Sequence, residues 1–218
     1  MKAFLQDFKK RLKSIHWLEF SLLTSLIVVL FLVDLLSKQF VYSKYIDTYR
    51  ENPYFVINAI PYLFNVTLAF NKGAAWSMGY GMVGLFSIIS LVCGLVFLFL
   101  YLYYFSSVPK YIKFCLALGI AGDFGNLVDR FGCWMQKGIY KDGVVDFITF
   151  AFWKDFPTFN LADSYLVVAI FVALIAFVIT FIKGKTRTKK EPALEDDDLM
   201  KKLSEKTNSD SHSSDDKE

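Results

Sequence analysis

Two aspartates stand in short, distinctive settings in this chain: Asp146 within Val-Val-Asp-Phe, and Asp163 within Phe-Asn-Leu-Ala-Asp-Ser at the mouth of an apolar run. An ionisable side chain at a membrane boundary is costly unless it has a partner. Two carboxyl groups that share a site cannot both ionise cheaply, so they hold one proton between them and can serve as general acid and general base. The two aspartates therefore indicate acid–base chemistry.

Structural interpretations of the same residues stay open at the level of sequence. Asp163 could act only as a helix cap or dipole partner, with Asn160 capping the helix that follows. Asn71 could end a strand before Gly73, or its amide could orient nearby carboxylates.

Other acidic residues have basic neighbours along the chain. Asp34 and Lys38 are four residues apart, which predicts an ion pair on one helix face near the membrane edge. Asp129 is followed directly by Arg130, and we expect an interfacial ion pair that holds the end of a membrane span. Both pairs are expected to be architectural.

The composition indicates an integral membrane protein. Of the 218 residues, 55% are hydrophobic and 18% aromatic, and the mean hydropathy of +0.39 exceeds what one soluble core requires. Four apolar stretches are long enough to cross about 30 Å of hydrocarbon at about 1.5 Å per residue. They cover approximately residues 18–41, 82–105, 111–128 and 161–182. The third is the weakest, because it contains Lys113 and Asp123.

Two further segments have the composition of strands. Residues 62–76 and 144–150 combine β-branched and aromatic residues, and Asp142-Gly143 before the second is a common turn dipeptide. The expected fold is mainly α: a polytopic membrane protein with four transmembrane helices and a small extracytoplasmic β element.

The distribution of lysine and arginine predicts the orientation. Basic residues precede the first span, follow the fourth and occupy the loop between the second and third, so both termini are predicted to be cytoplasmic and the polar motifs extracytoplasmic. Residues 1–17 are expected to form a basic segment, either an amphipathic surface helix or a simple topology flank. Residues 18–182 would form a four-span domain, and 183–218 a charged, disordered cytoplasmic tail.

Cysteine and histidine do not form a recognisable site. Cys93, Cys115 and Cys133 lie far apart without a CxxC pattern, so neither a disulfide framework nor a zinc site is predicted. His16 and His212 both fall on predicted cytoplasmic segments, which argues against HExxH chemistry and a histidine-dependent triad at the opposite face. We expect neither a metal nor a cofactor.

Five motifs occur in order along the membrane portion: DLLSK from Asp34, NKGAAW from Asn71, GDFGNLVDR from Gly122, VVDF from Val144 and FNLAD from Phe159. With four predicted spans, this series resembles the lipoprotein signal peptidase (signal peptidase II) family. The resemblance implies an aspartyl endopeptidase of the bacterial inner membrane that cleaves a prolipoprotein before its diacylglyceryl-modified cysteine.

By its match to the motifs, the resemblance implies a catalytic dyad of Asp146 and Asp163. Residues that would support the substrate or the dyad are Asp34, Lys38, Asn71, Gly122, Asn126, Asp129, Arg130 and Asn160, with Asp129 ranked as structural or supporting. The expected partners are the lipidated prolipoprotein and membrane lipids, with no nucleic acid, and the protein is expected to be a monomer.

The chain departs from the family pattern at several places. Asp123 stands where the family usually has a small residue, and Thr149 where it often has an acidic one. The loop at residues 42–61 and the charged tail look longer than in a minimal member. The substitution at Asp123 bears on the packing of the third span.

Two other functions stay open from the residues alone. A small transporter or ion pathway could use intramembrane Asp and Asn, although the polar residues cluster at one face and do not line a path across the bilayer. A different protease type could use a Ser77/Lys72 dyad, although nothing in the sequence brings those side chains together.

Overall fold

The computed structural model describes residues 2–73, 79, 81–182 and 201. Its helices are α1 (Lys2–Lys13), α2 (Trp17–Glu51), α3 (Val83–Tyr104), α4 (Lys110–Trp134) and α5 (Leu161–Ile182). Its strands are β1 (Ile57–Ile60), β2 (Phe64–Asn71) and β3 (Val144–Phe150), and a 3₁₀ turn covers Gly138–Tyr140. Residues 1–173 form one unit and residues 174–218 a second, and the site described below lies entirely within the first.

The four helices from α2 to α5 are each long and apolar enough to cross a membrane. The predicted mainly helical fold with four spans and a small sheet is therefore confirmed. The second and fourth spans begin and end within one residue of their predicted limits, because uninterrupted apolar runs define them. Apart from Lys201, the charged tail from residue 183 lies outside the described residues, as do Ala74, Ala75, Trp76 and Ser77.

The first span is much longer than predicted, and the expected long loop at residues 42–61 is wrong. Helix α2 continues to Glu51, where the backbone N–H of Asn52 caps it by donating to Thr48. The extension carries Tyr45 and Tyr49 on one face, and both pack against the core beneath the sheet. Tertiary packing therefore extends this helix beyond its apolar run.

Helix α4 is the central helix of the bundle and explains why the third span looked weak. In its apolar stretch 61% of the residues are buried, against 6% in α2 and 17% in α3. A helix shielded from lipid on most sides can carry polar side chains that other protein groups satisfy. It also runs to Trp134, six residues beyond its predicted end.

The strands form one antiparallel sheet in the order β1-β2-β3. Residues of β2 pair with β3 so that Ala69 lies opposite Asp146 and Asn71 opposite Val144. Beyond β3, Phe159 pairs with Ile148 and brings the start of α5 back to the sheet. Asp146 thus lies in the buried half of β3.

Candidate active site

A fully buried ion triad joins α2 to α4. The Nζ atom of Lys38 lies 2.7 Å from Oδ2 of Asp34 and 3.0 Å from Oδ2 of Asp129, and all three side chains are 0% exposed. Buried charges are tolerated only when they are paired in this way. The predicted Asp34–Lys38 pair therefore forms, but inside the bundle and with a third member.

The predicted ion pair between Asp129 and Arg130 is wrong. Consecutive residues on a helix point about 100° apart and do not face one another. Asp129 turns inward to Lys38, whereas Nη1 of Arg130 donates to the hydroxyl of Ser90 on α3 at 3.4 Å.

The two carboxylates of the triad also hold the backbone beside each candidate catalytic aspartate. Oδ1 of Asp34 accepts a hydrogen bond from the backbone N–H of Ala162 at 2.9 Å, one residue before Asp163. Oδ2 of Asp129 accepts from the backbone N–H of Val145 at 3.2 Å, one residue before Asp146. The triad therefore holds the backbone next to each aspartate by one hydrogen bond.

Two asparagine amides connect Asp146 with Asp163. Nδ2 of Asn160 donates to Oδ1 of Asp146 at 2.7 Å and to Oδ1 of Asn126 at 3.0 Å. Nδ2 of Asn126 donates to Oδ1 of Asp163 at 2.8 Å, and Nζ of Lys38 donates to Oδ1 of Asn126 at 3.2 Å. Each amide thus accepts a hydrogen bond on its oxygen and donates one to a carboxylate, which orients both carboxyl groups.

Asn160 and Asp163 also cap α5 reciprocally. The backbone N–H of Asp163 donates to Oδ1 of Asn160 at 3.0 Å, and the backbone N–H of Asn160 donates to Oδ2 of Asp163 at 3.3 Å. This is a capping box, and the positive end of the helix dipole favours a negative side chain there. Asp163 therefore caps α5 and also belongs to the carboxyl cluster.

The environment of Asp146 favours its protonated form. The residue is 3% exposed on β3. Burial raises the pKa of the Asp146 carboxyl well above its ordinary value, and the negative charge of Asp163 raises it further, whereas Lys38 acts in the opposite direction. Burial and the neighbouring negative charge therefore favour a proton on Asp146.

Two glycines of α4 allow this helix to approach α5 and α2 closely. A β-carbon on Gly122 would lie 2.5 Å from the carbonyl oxygen of Ala162, and one on Gly125 would lie 2.6 Å from Oδ2 of Asp34. Both distances are shorter than real contacts, so only glycine permits α4 to approach at these positions. Gly122 was among the predicted supporting residues, whereas Gly125 of the same motif was not.

The remaining predicted residues lie around this centre. Asn71 ends β2, its Oδ1 accepts from the backbone N–H of Gly73 at 2.9 Å, and the strand register puts it on the same sheet face as Asp146. Ser90 on α3 was missed because a single serine in an apolar span carries little signal. Within residues 2–73, 79, 81–182 and 201, no group of three or more His, Cys, Asp or Glu side chains could hold a metal ion.

Comparisons with known proteins match most of the chain to one family. The family model described as signal peptidase (SPase) II matches residues 26–179. The chain is 35% identical over 136 residues to the lipoprotein signal peptidase of Staphylococcus aureus, covering 61% of this chain and 73% of the relative. It is 34% identical over 122 residues to that of Staphylococcus haemolyticus, covering 55% of this chain and 70% of the relative.

Two solved structures, both described as bacterial membrane enzymes, have a similar fold. One aligns with a TM-score of 0.55 at 25% identity and covers 72% of this chain and 88% of its own. The other aligns with a TM-score of 0.54 at 27% identity, with coverage of 72% and 92%.

Proposed function

The chain belongs to the signal peptidase II family, and we propose that Asp146 and Asp163 are the two carboxyl groups with which it hydrolyses its substrate. The protein is a multi-pass inner-membrane peptidase that removes signal peptides from prolipoproteins. The observation that carries the proposal is the amide bridge from Asp146 through Asn160 and Asn126 to Asp163. It holds two carboxyls in one cluster and orients both.

The different surroundings of the two carboxyls support different roles. Asp146 is the better holder of the shared proton, because burial and the neighbouring charge raise its pKa. Asp163, at the N-terminus of α5, is better suited to carry the negative charge. In the reaction Asp163 takes a proton from water as the water oxygen attacks the scissile carbonyl carbon. Asp146 hydrogen-bonds the carbonyl oxygen, and the proton taken by the dyad then passes to the leaving amine.

The proposed scissile bond precedes a diacylglyceryl-modified cysteine. Large apolar side chains are exposed along α2 and α3, such as Leu32, Leu36 and Val92, which supports contact between these helices and lipid. Substrate acyl chains can stay in that lipid while the peptide bond enters the site, since each CH₂ kept in hydrocarbon contributes about 0.8 kcal/mol. We propose that the enzyme acts as a monomer, without nucleic acid, and that its site faces the extracytoplasmic side.

The test is cleavage of a lipopeptide carrying a diacylglyceryl cysteine, beside its unmodified twin. Asp146→Asn and Asp163→Asn are each expected to lower kcat by at least about 10³-fold while KM changes little, because they remove proton transfer and not binding. The matched control is Asp155→Asn, which makes the same substitution at an exposed residue of the connection between β3 and α5. It should retain wild-type activity.

Three results would contradict the proposal. They are equal cleavage of both peptides by the wild type, activity that survives either dyad substitution in folded protein, and complete loss of activity in EDTA that zinc restores. Activity in both dyad variants would favour a different nucleophile.

A further inference from the structure

A second polar cluster lies between α3 and α4, outside the contacts of the dyad. The Asp123 side chain is buried, with the residue 8% exposed, and its Oδ1 accepts a hydrogen bond from the hydroxyl of Ser90 at 2.8 Å. The same hydroxyl accepts the 3.4 Å contact from Nη1 of Arg130. One serine therefore links a buried carboxylate to a guanidinium.

The spacing of these residues explains the arrangement. Asp123 and Arg130 are seven residues apart on α4, which is two helical turns, so both side chains lie on the same face. On α3, Ser90 and Gly94 are four residues apart and face them. A β-carbon on Gly94 would lie 2.5 Å from Oδ2 of Asp123, so this glycine leaves the space that the carboxylate fills.

The cluster is incompletely satisfied. Among the described residues, Oδ2 of Asp123 and Nε of Arg130 are buried without a hydrogen-bond partner. A buried carboxylate in a membrane helix is costly and is expected to have a purpose beyond packing. Arg130 is the cation whose charge acts on Asp123, and Ser90 joins the two at hydrogen-bond range. The serine hydroxyl donates to the acid and accepts from the base, so each partner orients the other.

We propose that Asp123 is a positioning residue that acts through Ser90 to hold the Arg130 guanidinium toward the substrate. The inference rests on the proposed function, because it takes Arg130, which directly follows Asp129 on α4, as a substrate contact of that site. A guanidinium has five N–H donors, and among the described residues the contact with Ser90 uses one of them, on Nη1. In the proposal the other terminal nitrogen, Nη2, donates to carbonyl oxygens of the bound lipopeptide. Asp123 touches neither the substrate nor the dyad in this scheme.

A double-mutant cycle on KM tests the proposal. Asp123→Ala is expected to raise KM for the lipidated peptide about 10-fold with kcat within about twofold, a coupling typical of one hydrogen-bond network. In an Arg130→Gln background the same change should move KM less than about twofold, because the group being positioned is already gone. Asp123→Asn keeps an oxygen acceptor for Ser90 and should restore most of the wild-type KM.

Ser90→Ala provides a second arm should Asp123→Ala fail to fold. It should reproduce the KM increase in wild type and not in the Arg130→Gln background. Its matched control is Ser87→Ala, since the Ser87 hydroxyl on the same helix donates only to the carbonyl oxygen of Val83 among the described contacts. That variant should leave KM unchanged.

The possible outcomes distinguish a failure of the positioning role from a failure of the proposed function. An inactive wild type would overturn the proposed function. An active wild type in which Asp123→Ala and Ser90→Ala raise KM equally with and without Arg130 would overturn only the positioning role. A fall in melting temperature with unchanged KM would likewise assign Asp123 to packing.

Discussion

At the scale of single residues, the site gives two chemically identical side chains different surroundings. Asp146 lies on a buried strand beside the amide donor of Asn160, and Asp163 lies at a helix N-terminus. The same burial that raises the pKa of Asp146 also penalises the folded state at neutral pH, because the unfolded chain releases that proton more easily. In the proposed mechanism, the protonation that serves catalysis therefore opposes stability at this residue.

We expect Asp146→Asn to raise the melting temperature at pH 7. A raised pKa contributes stability below the ordinary carboxyl pKa, and that stability is lost as the pH rises toward the folded-state pKa. Asparagine cannot ionise, and it keeps the oxygen that accepts from Asn160. The gain over the wild type should shrink at pH 5. Thermal unfolding in detergent at both pH values measures it, and a lower melting temperature than the wild type at pH 7 would contradict the expectation.

Lys38 is the residue whose loss should cost most stability. Lys38→Met removes the positive charge and leaves the buried carboxylates of Asp34 and Asp129 facing each other, which costs about 3–5 kcal/mol when one member of a buried ion pair is removed. Lys44→Met on the exposed side of the same helix should cost at most about 1 kcal/mol. Denaturant unfolding of both variants gives the comparison, and equal losses would show that the triad does not stabilise the fold.

At the scale of elements, local sequence specifies some segments and packing specifies the others. The limits of α3 and α5 and the positions of β2 and β3 follow from local runs of apolar or β-branched residues. The extension of α2 to Glu51 depends on the sheet core that receives Tyr45 and Tyr49, which no local pattern reports.

The site shows the same division between near and distant contacts. The pairing of Asp34 with Lys38 could be predicted from their spacing, whereas the contact of Lys38 with Asp129 joins residues far apart in the sequence. Asp129 was accordingly assigned the wrong partner, its neighbour Arg130. The link from Ser90 to Asp123 was unpredictable for the same reason, since it depends on how α3 packs against α4.

The contact between α4 and α5 should be sensitive to a single methyl group. Gly122→Ala would place a β-carbon 2.5 Å from the carbonyl oxygen of Ala162, so α5 must shift and move Asp163 with it. Overpacking of this kind costs about 1–3 kcal/mol, and activity should fall more steeply than stability because the dyad geometry changes. Gly119→Ala is the matched control one turn earlier, where the added carbon meets Phe97 at an ordinary 3.6 Å.

Parallel measurements of kcat and melting temperature separate these two glycines. Wild-type kcat in Gly122→Ala would show that the close approach does not position the dyad.

At the scale of the whole molecule, the charge distribution and the site predict one orientation in the membrane. Basic residues precede the first span, follow the fourth span and occupy the loop between α3 and α4. The sheet, which carries Asp146, and the start of α5, which carries Asp163, then lie on the opposite side. We propose that the prolipoprotein substrate reaches the site from this side.

We therefore expect both termini to be cytoplasmic. In a variant with Cys93, Cys115 and Cys133 replaced by serine, a cysteine at Ser211 should resist a membrane-impermeant maleimide in intact cells and react after the cells are permeabilised. A cysteine at Lys154, exposed in the connection between β3 and α5, should react in both conditions and serves as the control. Labelling at Ser211 in intact cells would reverse the orientation of the last span. The basic flank after α5 would then face outward against the rule that retains such residues in the cytoplasm, and the dyad would lose access to substrates delivered from the extracytoplasmic side.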